Sequence, residues 1–134
     1  MGVFNIQTGG RVIPSWQATG LLDTIKCIKA VNSTILVSGS TDNTLSVWKL
    51  SGSSASKLRT ISYHSNDVNA VDQLANGYMV SGGADKAIYV WDVSNGNKIA
   101  TKTSAHPQAI LCLKAMSNGY FATGAASPDN KVNY

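Results

Sequence analysis

The sequence lacks most of the features that mark specialised protein classes. Among its 134 residues there is no Glu, only two Cys and three Pro, and just 13% of the residues are charged. All seven acidic residues are Asp, which favours turns, whereas Glu favours helix, so the composition predicts little helix. No apolar run approaches the roughly 18 residues of a membrane span, and the N-terminus does not have the pattern of a signal peptide. We therefore expect a globular chain in the cytoplasm or nucleus, with no membrane segment.

Positive charge is present but is not clustered. The net charge is +4, and the 11 Lys and Arg residues are scattered from Arg11 to Lys131 with no two adjacent. Binding to DNA or RNA usually requires a basic stripe or patch. The scatter therefore favours solvated strand faces and argues against nucleic acid as the partner.

One segment of the sequence recurs at a spacing of about 43 residues. Ser38 and Ser81 are 43 residues apart, and so are Trp48 and Trp91. The recurring segments are residues 36–48, 79–91 and, in shorter form, 121–124. A fixed period of 20–50 residues indicates a repeat architecture, and such architectures generally bind other molecules.

Turn residues divide each repeat into short strands. Asn76-Gly77 is a strong tight-turn signal, and β-branched residues are frequent between the turns. The predicted strands are residues 25–30, 35–39, 45–50 and 57–61, then 68–71, 78–81, 87–91 and 98–102, then 110–115 and 120–124. The Ser/Gly-rich residues 52–56 are predicted to form a loop within the first repeat.

The two cysteines occupy equivalent repeat positions. Cys27 and Cys112 are 85 residues apart, close to two periods, and Ala70 takes the same position in the repeat between them. We expect a small buried residue at this position. Because equivalent sites two repeats apart should not touch, no disulfide is predicted.

Four residue types recur at fixed steps in the repeats. The second repeat has His64, Ser81, Asp85 and Trp91 at steps of 17, 4 and 6. The first repeat has Leu21 in place of His, and the third has a two-residue insertion before its Asp. The corresponding residues are Ser38, Asp42 and Trp48 in the first repeat, and His106, Thr123 and Asp129 in the third.

At these residues the chain resembles the WD-repeat β-propeller family. Trp91-Asp92 is the dipeptide that names the family, whereas Trp48-Lys49 departs from it. The resemblance implies an all-β fold with blades of four antiparallel strands, about three of them, forming a partial propeller. It divides the chain into the end of a preceding blade (1–19), two blades (20–62 and 63–104) and an incomplete blade (105–134). Residues 3–6 and 10–15 would be the last strands of the preceding blade.

The resemblance also implies a structural role for the recurring residues. The Asp carboxylate would accept from the imidazole, the imidazole would bond to the hydroxyl, and the hydroxyl would accept from the indole N–H. Such a network fixes a strand register when all its members are paired. The second repeat should hold the complete set, whereas the first cannot, because Leu21 neither donates nor accepts.

The resemblance further implies a non-catalytic scaffold that binds proteins or peptides and needs no cofactor. Partners would bind the loops before the innermost strands and between the second and third strands. The candidate residues are Asp23, Thr41, Asn66, Asp67 and Gln108. Because both chain ends fall inside a blade, we expect a piece of a longer propeller. The alternative is self-association that closes the ring.

Two other functions remain as alternatives, a hydrolase and a nucleic-acid-binding module. His64, Ser81 and Asp85 are the residue types of a hydrolytic triad. An enzyme needs only one nucleophile, however, and here the pattern recurs from repeat to repeat without a Gly-x-Ser-x-Gly motif. Two His and two distant Cys make no metal-ligand cluster. We therefore predict neither an enzyme nor a metal site.

Overall fold

The described part of the chain consists of β-strands and turns. A computed structural model describes residues 23–52, 54–128 and 132–133. The first sheet contains β1 (Ile25–Ala30), β2 (Ile35–Ser40), β3 (Leu45–Ser51) and β4 (Ser54–Ile61). The second contains β5 (Val68–Gln73), β6 (Met79–Gly83), β7 (Ile88–Trp91) and β8 (Lys98–Lys102). The third contains β9 (Ile110–Ala115), β10 (Phe121–Ala125) and β11 (Val132–Asn133).

All strand pairs are antiparallel, and each sheet follows chain order. The innermost strands of successive sheets lie side by side, with β5 contacting β1 and β9. This arrangement confirms the all-β prediction and the partial propeller of about three blades. Within the described ranges, no helix has the length and apolar character needed to cross a membrane. The division into blades at residues 20–62, 63–104 and 105–134 remains a prediction, and residues 3–6 and 10–15 lie outside the described ranges.

The turns repeat along with the strands. Gly77 and Gly119 are 42 residues apart, and both have positive φ (91° and 87°) in the turn that follows an innermost strand. Asn43 and Lys86 are 43 residues apart and both have φ near 70° in the turn before a third strand. Each innermost strand also has a β-bulge near its start, as between Val68 and Ala70. Backbone φ angles and β-bulges therefore recur with the same period as the sequence.

The predicted loop at residues 52–56 is wrong over most of its length. β4 begins at Ser54, which pairs with Ser51 and donates its hydroxyl to the Ser51 carbonyl at 2.9 Å. Gly52 has φ +58°, which allows the chain to reverse sharply here. Small polar residues are tolerated in β4 because it is a largely exposed outer strand. The other predicted strands lie within two residues of those observed.

Close contact between sheets depends on a glycine in each second strand. A Cβ on Gly39 would lie 2.8 Å from Val68 Cγ1, and a Cβ on Gly82 would lie 2.8 Å from Ile110 Cγ2. β2 and β6 are consequently buried along almost their whole length. The cluster between the first and second sheets comprises Val37, Leu45, Val47, Ile61, Val68, Val71, Met79 and Trp91. The cluster between the second and third sheets comprises Leu74, Val80, Ile88 and Ile110.

The two cysteine positions differ in exposure. Both thiols are free; Cys27 is half-buried and Cys112 is exposed. Burial raises the pKa of Cys27 to about 11, against a smaller lowering by the Gly39 backbone. The expectation of a small buried residue is therefore wrong for Cys112. Among the described residues, no further sheet covers the face of β9 that carries it.

Candidate functional site

A buried polar network joins the loop before β5 to β6 and to the turn before β7. His64 Nε2 lies 2.9 Å from Ser81 Oγ, and His64 Nδ1 lies 2.9 Å and 3.0 Å from the two oxygens of Asp85. Ser81 is fully buried, and the His64 and Asp85 side chains are 0% and 6% exposed. The three side chains are therefore held together away from solvent.

The protonation state of His64 fixes the direction of these hydrogen bonds. Burial lowers the pKa of His64 and outweighs the opposing effect of Asp85, so the ring is neutral at pH 7. Because a carboxylate only accepts, Nδ1–H donates to Asp85, and Nε2 accepts from the Ser81 hydroxyl. Asp85 also accepts from the backbone N–H groups of Ser65 and Ala87, at 3.0 Å and 3.1 Å. The Asp85 carboxylate thus links the loop before β5 to the turn before β7.

The hydrogen bond expected from the second repeat's tryptophan is absent. Trp91 is fully buried, and its Nε1 has no hydrogen-bond partner among the described residues. In the first sheet, by contrast, Trp48 Nε1 donates to Ser38 Oγ at 2.8 Å. The Ser81 hydroxyl instead donates to His64.

The other recurring residues form parts of the same pattern. Asp42 accepts from the backbone N–H and the hydroxyl of Thr44, at 2.9 Å and 2.7 Å, and so closes its own turn. In the third sheet, His106 Nε2 lies 2.8 Å from Thr123 Oγ1, and both residues are buried. Leu21 and Asp129 lie outside the described residues.

The geometry of the network does not suit a hydrolase. A nucleophile must reach a substrate, whereas Ser81 is fully buried between neighbouring strands. The imidazole–hydroxyl pair also recurs as His106 and Thr123 one repeat later. Buried, mutually satisfied groups at repeated positions can fix strand register, which is a structural task.

A second polar cluster, centred on the buried carboxylate of Asp72, was not foreseen from the sequence. Lys29 Nζ lies 2.6 Å from Asp72 Oδ1, and the backbone N–H of Ala115 donates to Asp72 Oδ2 at 2.8 Å. Lys114 Nζ lies 3.4 Å from the same Oδ2. Since these residues lie on β1, β5 and β9, one carboxylate links the innermost strands of all three sheets.

Asp72 remains ionised because its partners outweigh its burial. Burial raises its pKa, but the hydrogen bond from Lys29, the backbone N–H groups of Ala115 and Gln73, and the Lys29 charge together lower it to about 2. A signal for this cluster existed in the sequence. Equivalent positions 29, 72 and 114, at spacings of 43 and 42, carry Lys, Asp and Lys.

The loops predicted to bind partners lie at one common edge of the sheets. A backbone hydrogen bond of about 3 Å joins the two loops of each sheet, and the bonded pairs are Thr41–Thr24, Ala84–Asp67 and Ala126–Ala109. Each pair is 17 residues apart. The repeat therefore brings the predicted loops together in the same way three times.

The five candidate partner-binding residues differ in accessibility. Asp23 and Asn66 are exposed, whereas Thr41, Asp67 and Gln108 are half-buried. Thr41 Oγ1 accepts from the Thr24 N–H at 3.0 Å, and Asp67 lies 3.9 Å from Lys26 Nζ. Their role in binding remains a prediction.

The fold and the repeated buried network define a repeat protein of the propeller class. The sequence model of the family described as "WD domain, G-beta repeat" matches residues 21–49 and 55–92, which is half of the chain. The chain therefore belongs to the WD40 family. Proteins of this family are generally non-catalytic scaffolds for protein interaction.

Individual relatives share the same repeats. The chain is 37% identical over 101 residues to the U3 small nucleolar RNA-associated protein 15 homolog of Xenopus tropicalis, covering 73% of this chain and 19% of that protein. It is 39% identical over 75 residues to eukaryotic translation initiation factor 3 subunit I of Saccharomyces cerevisiae, covering 54% and 21%. The chain thus spans about a fifth of the length of these curated relatives.

A solved structure shows the same architecture. The crystal structure of the WD40 beta propeller domain of Doa1 superposes with a TM-score of 0.75 at 28% sequence identity. The match covers 85% of this chain and 37% of the Doa1 chain.

Proposed function

We propose that this chain is a non-catalytic WD-repeat scaffold that binds protein or peptide partners through its common loop edge, in the cytoplasm or nucleus. The observation that carries the proposal is the repeated backbone bond between the two loops of each sheet. It holds six loops at one edge on rigid strands, and rigid support for surface loops is typical of binding sites. Relatives named as a nucleolar RNA-associated protein and a translation factor subunit are consistent with this role and location.

The exposed groups at this edge favour a polar partner. Asp23 is exposed and presents a carboxylate, and Asn66 presents an exposed amide. Asp67 adds a second carboxylate beside Lys26. We infer a partner segment that carries hydrogen-bond donors, including Lys or Arg, at the contact.

The test compares the two edges of the sheets. Asp23→Lys with Asn66→Arg makes the loop edge positively charged. Ala75→Lys with Ser117→Arg places the same two residue types in exposed turns at the opposite edge. Proteins crosslinked to the chain in cells are quantified by mass spectrometry. The proposal predicts partners that are lost with the first pair and retained with the second. Equal recovery with both pairs would contradict it.

The structure favours neither alternative function. A hydrolase would need access to Ser81, which is fully buried. A nucleic-acid interface usually needs clustered cations, and the 11 Lys and Arg residues are scattered along the sequence. Equal hydrolysis of ester substrates by wild type and Ser81→Ala would dispose of the first alternative. Binding that does not change with salt would dispose of the second.

Charge opposes closure of the ring by further copies of the chain. Equivalent inner-strand positions lie side by side in successive sheets, as Lys29, Asp72 and Lys114 do. A copy's first sheet placed after the third sheet would bring Lys29 against Lys114, and like charges repel. We expect the mass of a single chain by light scattering at low salt. A discrete oligomer would instead support self-association.

A further inference from the structure

Three Asn-Gly dipeptides lie in turns of the described sheets. An Asn-Gly bond is chemically labile, because the glycine nitrogen can attack the amide carbon of the asparagine side chain and no Cβ shields that nitrogen. In all three the asparagine is exposed and the glycine has positive φ. Which of them reacts depends on how its turn holds the glycine nitrogen. The dipeptides are Asn76-Gly77, Asn95-Gly96 and Asn118-Gly119.

Two of the three turns are equivalent and prepare the asparagine in the same way. Asn76 and Asn118 are 42 residues apart, and each is followed by Gly and Tyr. Asn76 Oδ1 accepts from the Tyr78 N–H at 3.1 Å, and Asn118 Oδ1 accepts from the Tyr120 N–H at 3.2 Å. This bond folds the side-chain amide back over the glycine peptide. The same N–H group would stabilise the negative charge that develops on Oδ1 during the attack.

The glycine nitrogens of these two turns are held differently. The Gly77 N–H donates to the Leu74 carbonyl at 2.9 Å, whereas the Gly119 N–H donates to the Met116 carbonyl at 3.3 Å. The nitrogen must leave this hydrogen bond and lose its proton before it can attack. Because the longer bond is the weaker one, Gly119 does so more readily than Gly77.

A side-chain bond further restrains the first of the two turns. Gln73 Nε2 donates to the Gly77 carbonyl at 3.2 Å. The equivalent position 42 residues later is Ala115, whose methyl group cannot donate. Gly119 is exposed, and the neighbouring Tyr120 is 64% exposed. Water and hydroxide therefore reach the Asn118 turn from solvent.

The remaining dipeptide is the most firmly held of the three. The Gly96 N–H donates to the Asp92 carbonyl at 2.7 Å, and Asn95 Nδ2 lies 3.3 Å from Asp92 Oδ2. Gly96 is half-buried, and a Cβ placed on it would lie 3.0 Å from Ile61 Cδ1. This packing opposes the backbone movement that ring closure requires.

We propose that Asn118 is a self-modifying site that deamidates before Asn76 and Asn95, because its glycine nitrogen is the least restrained. Hydroxide removes the Gly119 N–H proton, and the nitrogen forms a bond to Asn118 Cγ. The Cγ–Nδ2 bond then breaks, and the amide nitrogen takes up a proton and leaves as ammonia. Water opens the resulting succinimide at one of its two carbonyls and gives aspartate or isoaspartate. Each event replaces a neutral amide by a carboxylate and lowers the net charge of +4 by one.

The product changes the turn between β9 and β10. Isoaspartate adds one carbon to the backbone, so it disturbs the bond from the Met116 N–H to the Tyr120 carbonyl, which is 2.8 Å long in the unmodified turn. The turn lies at the edge opposite the loops of the proposed function. Either proposal can therefore fail without the other.

The test compares the three asparagines within one protein sample. The folded protein is incubated at neutral pH, and proteolysis with mass spectrometry follows the mass gain at each asparagine. Capped peptides of residues 73–79 and 115–121 give the rates without the fold, and each protein rate is divided by its peptide rate. Asn118 should then react about three-fold or more faster than Asn76, and Asn95 should react most slowly. Equal rates, or a faster Asn76, would overturn the proposal.

Gln73→Ala tests the assigned restraint in the same assay. The variant loses the side-chain bond to Gly77, so the Asn76 rate should rise about two-fold or more. The Asn118 rate in this variant is the matched control and should stay unchanged. In the wild type the Asn118 rate should rise with pH, since hydroxide removes the proton. An Asn76 rate that Gln73→Ala leaves unchanged, or an Asn118 rate that does not depend on pH, would contradict the proposal.

Discussion

The first and second sheets place the same residue types at the same positions but bond them differently. In the first sheet, Ser38 accepts from the Trp48 indole, and Asp42 bonds only within its own turn. In the second sheet, Ser81 bonds to His64, which in turn bonds to Asp85. The repeat therefore fixes where a side chain lies, whereas its neighbours decide which hydrogen bond it makes.

This difference has an energetic consequence. In the second sheet three buried polar groups are bonded in series through His64, and removal of one leaves a buried polar atom of its neighbour without a partner. In the first sheet the polar contacts are separate pairs. We therefore expect the second sheet to be more sensitive to polar substitutions.

The largest expected effect comes from the two equivalent aspartates. Asp85→Ala leaves His64 and two backbone N–H groups without an acceptor, and should lower the free energy of unfolding by about 3 kcal/mol. Asp42→Ala loses only bonds within its turn and should cost about 1 kcal/mol. Urea unfolding of both variants measures the difference. Equal losses would mean that the two sheets do not differ in this way.

The two tryptophans provide a finer comparison. Trp48→Phe removes the bond to Ser38, whereas Trp91→Phe removes an N–H that has no partner. Both lose similar packing, so Trp48→Phe should cost about 1 kcal/mol more. Thermal and urea unfolding can measure this. A larger cost for Trp91→Phe would indicate that its indole is hydrogen-bonded after all.

A smaller effect should appear on mild acidification. Burial holds the pKa of His64 below its ordinary value of 6.5, so below that pH the unfolded chain binds a proton that the folded chain does not. Stability is then complete above pH 6.5 and falls as the pH is lowered towards the folded pKa. His64→Leu, which introduces the residue type found at position 21, should make stability less dependent on pH below 6.5. If the slope of stability against pH is unchanged in His64→Leu, a group other than His64 causes the pH dependence.

The smallest effects concern the two lysines beside Asp72. Lys29→Met should cost about 1 kcal/mol, because Lys29 is 31% exposed and lies 2.6 Å from the carboxylate. Lys114 is 76% exposed at 3.4 Å, so Lys114→Met should cost less than about 0.5 kcal/mol. Asp72 has a lowered pKa, so its contribution is complete above pH 3.8 and is lost as the pH falls through about 2. Urea unfolding at pH 7 ranks the variants, and the reverse order would contradict the assigned geometry.

The sequence predicted those features that depend on the period. Strand order, the turns and the positions of His64, Ser81 and Asp85 all follow from residue types that recur at fixed spacing. Side chains on a strand alternate between the two faces of a sheet, so a shift of the pairing by one residue would expose the buried ones. A repeated sequence pattern therefore leaves little freedom in strand pairing.

Features that depend on contacts between sheets were harder to predict. Asp72 looks like a polar residue at the end of a strand until β1 and β9 place Lys29 and Ala115 beside it. The missing hydrogen bond of the Trp91 indole could not be predicted, because Ser81 and Trp91 have the same spacing as Ser38 and Trp48, which do bond. Residues 54–56 look like a loop because serine is common in turns, yet pairing with β3 holds them in a strand.

The most direct test of a structural role for the network is a double-mutant cycle on His64 and Asp85. Urea unfolding is measured for wild type, His64→Leu, Asp85→Ala and the double variant. If the two residues act as a buried pair, the double variant should cost at least about 1 kcal/mol less than the sum of the single variants. Additive losses would contradict the role of this pair in holding the second sheet together.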